Sequence, residues 1–95
     1  MADQRTCHAE IEKRLRELLR EVIHSLTPAD LAEAAGFLAA GEYGLCLEAI
    51  AAGLVERREY LQPRVVQAID HLAQAMELTD RPFLKDVHAY ALRAS

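Results

Sequence analysis

The sequence predicts an all-α fold, a small single-domain antiparallel bundle of about five helices spanning residues 1–95. Three observations lead there. The chain is rich in Ala, Leu, Glu and Arg, with only four Gly and three Pro, a composition that matches helix propensities. Apolar residues make up 52% of it, enough for one core, and they recur at spacings of three and four. Nothing alternates with period two over the length of a strand.

The first helix is expected over residues 3–25. Cys7, Ile11, Leu15, Leu18, Leu19, Val22 and Leu26 fall on one side and charges fill the other. The second has a marked start. Thr27 can cap the chain, Pro28 suits the first helical position, and Asp30 stands third in a variant of the capping box. Its apolar stripe is Leu31, Ala34, Ala35, Leu38 and Phe37, and Gly41 supplies a left-handed stop. A third helix over 42–59 buries Tyr43, Leu47, Ile50, Ala51, Leu54 and Val55, with Cys46 nearby. So short a turn makes helices two and three an antiparallel hairpin. Gly44 and Gly53 each cost about 1 kcal/mol against Ala inside a helix, which a close approach of the helix-two backbone would offset. The fourth helix opens at Pro63 and runs to about Glu77, with Val66, Ile69, Leu72, Ala73 and Met76 inward. After a break with capping residues Thr79 and Asp80, the fifth starts at Pro82 and turns Phe83, Leu84, Val87, Ala91 and Leu92 inward.

The charges are unevenly placed. Between Arg20 and Arg57 there is no Lys or Arg, whereas Asp30, Glu33, Glu42, Glu48 and Glu56 lie in that interval. Residues 1–26 carry five acids and five bases, so the whole deficit of four charges falls in residues 27–95. Helices one and four mix their signs; helices two and three carry only acids until Arg57 and Arg58 at the end of helix three. A one-signed acidic surface on a helical protein with few chemical motifs points to a basic partner, although acidic surfaces also serve solubility.

Other classes find little support. With a pI of about 5.5 the chain is ill suited to nucleic acid, whose binding requires bases to neutralise phosphates. The one dense basic cluster, Lys13, Arg14, Arg16 and Arg20, is surrounded by Glu10, Glu12, Glu17 and Glu21. The start has no apolar signal segment, and no stretch approaches the roughly 20 apolar residues of a membrane span, so a cytoplasmic protein is expected. Cys7 and Cys46 form no metal-ligand pair and are read as free thiols. His8, His24, His71 and His88 lack zinc spacing, so neither metal nor cofactor is expected. Ser25 beside His24 does not make a nucleophile–base pair, because helix neighbours face apart. One enzymatic pattern remains. Arg64 and His71, and likewise Arg81 and His88, are separated by six residues, as in the Arg-x(4–6)-His signature of the all-helical HEPN ribonucleases. The polar residue that usually follows that Arg is missing from both.

Residues 31–78, LAEAAGFLAAGEYGLCLEAIAAGLVERREYLQPRVVQAIDHLAQAMEL, carry a further pattern. A Leu-rich helix ends in a Gly-Glu turn at Gly41–Glu42. The Leu45–Glu48 stretch leads into an Ala/Leu helix with an acidic end at Glu56–Glu59, and a helix through Ile69, Leu72 and Met76 follows. This half of the chain resembles MafI-type immunity proteins of bacterial polymorphic-toxin systems, which act in contact-dependent growth inhibition. Helix-Gly-helix text of this kind also occurs in tetratricopeptide-like repeats. The acidic residues usual around the family's third helix are matched by Glu48 and Glu56, while Arg57 and Arg58 depart from an extended acidic face. The resemblance implies a cytoplasmic protein without catalysis of its own that neutralises a cognate toxin domain, often a nuclease. The expected partner-binding residues are Asp30, Glu33, Glu42, Glu48 and Glu56, with Tyr43 as aromatic anchor or, equally, as a cover for the core. A helical adaptor or dimerisation module built on the hairpin, and an HEPN-like ribonuclease, are the alternatives.

Overall fold

Every described residue in regular structure is helical. The computed structural model describes residues 8–58 and 60–94, Ala94 by its backbone alone. Five α-helices follow in order: α1 (His8–Glu21), α2 (Pro28–Ala39), α3 (Tyr43–Arg57), α4 (Pro63–Ala75) and α5 (Pro82–Ala94), with a 3₁₀ turn at Ile23–Ser25 between the first two. The expected all-α bundle is the observed one. The part of the first helix expected before His8, with Cys7, and the position of Glu59 lie outside the described residues.

Helix α1 stops earlier than its periodicity suggests. Ser25 N–H donates to Val22 O over 2.8 Å, an i→i−3 bond that tightens the chain, and Leu26 is extended at φ −119°, ψ 148°. The reason lies downstream. Thr27 precedes a proline and must itself be extended, so the helix has to end before it. Val22 and Leu26 both stay buried through this change.

The Thr27 cap, Pro28 and the Gly41 stop of α2 work as expected, while the Asp30 carboxylate lies against Gly53 and makes no reciprocal capping-box bond. Thr27 Oγ1 accepts the Asp30 backbone N–H at 3.0 Å. Gly41 takes φ 77°, and Glu42 N–H reaches back to Phe37 O over 2.9 Å in a Schellman closure. Helix α4 closes the same way, with Leu78 N–H on Ala73 O at 2.7 Å, yet the left-handed residue there is Glu77 at φ 59°. This is why α4 ends at Ala75, short of Glu77.

Helix α3 is central and packs on all four others, most extensively on α2. Leu47, Ile50 and Leu54 on α3 meet Leu15 of α1, Ile69 and Leu72 of α4 and Val87 of α5 in one core. Truncating such a residue to Ala typically costs about 2–5 kcal/mol. Three expected inward residues sit differently. Val65, not Val66, is the buried valine of α4, because it stands four before Ile69 and seven before Leu72. Ala35 is exposed beside buried Ala34. Leu92 is 78% exposed, because it lies about 140° around α5 from Val87, while Tyr90 stays packed on the core. The two helical glycines of α3 meet side chains, not the α2 backbone. A Cβ at Gly53 would lie 2.8 Å from Leu26 Cδ2 and 3.0 Å from Asp30 Oδ2, and one at Gly44 would lie 3.3 Å from Leu78 Cδ1.

Candidate partner-binding surface

The outer side of the α2–α3 hairpin follows from which residues each helix buries. Helix α2 buries Ala34 and Leu38 and sets Asp30 against Gly53 of α3. Its solvent side therefore carries Ala29, Glu33, Gly36 and Ala40, in helical register with one another. Helix α3 buries Cys46, Leu47, Ile50, Ala51, Gly53 and Leu54, which leaves Leu45, Ala52 and Glu56 outward along one line. The two stripes flank the α2–α3 seam on the same side of the molecule. Leu45, at 43% exposure, is the large apolar residue of this face, and small residues surround it.

The six residues singled out in the sequence take distinct places. Glu33 and Glu56 are exposed on this face, one on each helix. Glu48 is half-buried, about 60° off the α3 stripe on the side that Val55 shares. Glu42 is exposed at the tip of the hairpin, where it precedes α3 without a side-chain cap bond. Asp30 is half-buried in the seam itself, over Gly53. Tyr43 is turned to the other side of α3. Its hydroxyl donates to Glu12 Oε1 at 3.0 Å, and the His8 ring meets it edge-on with centroids 5.8 Å apart. The sequence thus led to the acids and missed Leu45, whose place between inward positions 43 and 46–47 was the available signal.

The ion pairs of the described residues lie outside this surface, although Glu17, Glu77, Asp80 and Asp86 make none either. On α1, Arg14 Nε binds Glu10 Oε2 at 3.0 Å and Arg16 pairs with Glu12, both one turn apart. Arg64 of α4 pairs with Glu21 of α1, and His88 Nε2 lies 2.7 Å from Asp70 Oδ1. None of Asp30, Glu33, Glu42, Glu48 and Glu56 has such an ion pair among the described residues. The Glu12 carboxylate is held below the usual range, first by Arg16 and then by the Tyr43 hydroxyl; that same bond pushes the Tyr43 phenol up.

The two Arg–His patterns are also placed. Arg64 and His71 are exposed along a groove of about 400 Å³ between α1 and α4, with the Arg64 guanidinium already on Glu21. Arg81 precedes α5, and His88 of α5 faces Asp70 of α4. Cys46 is fully buried, and burial pushes its thiol up to about 11, which keeps it protonated and unreactive. Among the described residues no group of three or more His, Cys, Asp or Glu could hold a metal ion, and no helix is long and apolar enough to cross a membrane. No family model, no curated protein and no solved structure matches the chain.

Proposed function

We propose that this chain is an immunity protein that neutralises a basic toxin domain, a nuclease in the simplest case, by binding it through the α2–α3 face. The observation that carries this reading is the segregation of charge. Three of the four acids of α1, Glu10, Glu12 and Glu21, are matched by bases within the fold, whereas none of the five acids of the hairpin is. The face also has the layout of an interface, an apolar middle at Leu45 and Ala52 with carboxylates around it. A nuclease cleft is basic because it must hold phosphate, so an acidic helical face can border or occupy it and be drawn to it at long range. No catalytic role is assigned to the chain, and the proposed site of action is the cytoplasm, where its producer needs protection.

The likeness of residues 31–78 to MafI-type immunity proteins supports the same reading. Co-expression is the test. The toxin domain encoded beside this chain's gene should arrest growth when expressed alone and cease to do so when the chain is present. The purified chain should leave RNA intact. Degradation of RNA, lost on His71→Ala or His88→Ala, would replace the immunity reading by the ribonuclease one. A helical adaptor would show neither effect.

A further inference from the structure

A second groove runs between α3 and α5, around the corner from the hairpin face. Its volume is about 370 Å³, and Ala51, Ala52, Val55 and Phe83 form an apolar floor. Two carboxylates flank it, Glu56 from α3 and Asp86 from α5, both exposed and neither in an ion pair among the described residues. Past these acids the groove widens toward Arg58 and Arg93.

The α1–α4 groove offers an internal comparison. It too has carboxylates beside an apolar floor, at Glu17, Glu21, Leu18 and Val65, but there the chain's own Arg64 lies across it and pairs with Glu21. In the α3–α5 groove Glu56 and Asp86 make no such pair among the described residues, and Arg58 and Arg93 stand only at its far end. From this we infer that the α3–α5 groove receives one arginine side chain of the basic partner, an inference that rests on the proposed function and locates its main charge contact. The stem lies on Val55 and Phe83, and the planar guanidinium reaches both carboxylates at once, as its several donors permit. Arg58 and Arg93 repel a base from the far end, so the side chain enters from the Phe83 end. Glu56 belongs to both the groove and the hairpin face; Asp86 belongs to the groove alone.

Two measurements on the full chain test this. The first titrates N-acetyl-arginine amide into the isotope-labelled protein by heteronuclear NMR. Saturable shifts should centre on Val55, Glu56, Phe83 and Asp86, exceed those given by N-acetyl-lysine amide, and fall away in Asp86→Asn. Equal shifts at Glu33, Glu48 and the groove, or shifts indifferent to Asp86→Asn, would overturn the inference. The second measures Kd for the toxin domain encoded beside the gene. Asp86→Lys should weaken binding about tenfold or more, with helicity unchanged by circular dichroism. If Asp86→Lys leaves Kd unchanged while Glu33→Lys weakens it, the groove is overturned and the hairpin face stands. If the wild-type chain does not bind, both fall.

Discussion

The hydroxyl of Tyr43 donates to the carboxylate of Glu12 across 3.0 Å, joining the first residue of α3 to the second turn of α1 over 31 positions of sequence. A tyrosine after a Gly-Glu turn reads equally as an interface anchor or as a cover for the core. Here its polar tip is used inside the molecule, and the exposed apolar residue of the hairpin face is Leu45.

That contact sets a pH dependence at both ends of the scale. The Glu12 carboxyl is lowered in the folded chain, by Arg16 first and Tyr43 second, so its contribution is present above the unfolded value of 4.5 and lost as pH falls through the folded value. The Tyr43 phenol is raised, so its contribution is present below 10.0 and lost as pH rises through the folded value. Tyr43→Phe should bring the Glu12 carboxyl partway back up, with Arg16 still holding it low, and should remove the alkaline loss. Thermal melts from pH 3 to 11, with NMR titration of Glu12, check both limbs.

The two helical glycines Gly36 and Gly53 should respond oppositely to alanine. Nothing lies within 4 Å of a Cβ at Gly36, so Gly36→Ala should stabilise by about 1 kcal/mol from helix propensity alone. At Gly53 the same gain is opposed by Leu26 Cδ2 at 2.8 Å, on a leucine only 5% exposed that cannot simply swing away. Displacing a core side chain costs about 1–3 kcal/mol, so Gly53→Ala should be destabilising by up to about 2 kcal/mol. Urea unfolding of both variants measures the difference in sign.

Much of this fold could be read from the chain because its stops and starts are local. Thr27, Pro28 and Gly41 act within a turn of themselves, and each did what its chemistry dictates. What could not be read depends on distant partners. Val65 and Val66 are equally apolar and stand four and three residues before Ile69, so either fits an inward stripe until the neighbouring helices pack on α4 and bury Val65. The α4 stop was hidden because a glutamate takes the left-handed place where glycine is usual. Within the candidate site, the acids were legible as a run of one sign. The use of Tyr43 and the placing of Asp86 beside Glu56 were not, since both require knowing that α1 and α5 lie against α3.

Glu77 provides a check on the backbone account. A non-glycine residue at φ 59° carries a cost of about 1 kcal/mol that glycine avoids. Glu77→Gly should therefore raise stability only slightly, by up to about 0.5 kcal/mol after the greater freedom of glycine in the unfolded chain is counted. Gly41→Ala, at φ 77° in the equivalent closure of α2, should lower it by about 1 kcal/mol. Chemical denaturation of the two variants tests both.

The most direct test of the acidic face is charge reversal at Glu48 and Glu56 together, with Kd measured against the toxin domain that the proposed function requires. Neither residue belongs to the core, so Glu48→Lys with Glu56→Lys should leave the fold intact and change stability by no more than about 0.5 kcal/mol. The account predicts a sharp loss of affinity, because each reversal replaces an attraction by a repulsion worth several kcal/mol across an interface, and a wild-type association rate that falls as salt rises. An unchanged Kd for the double reversal would contradict it and remove the acidic face from the mechanism.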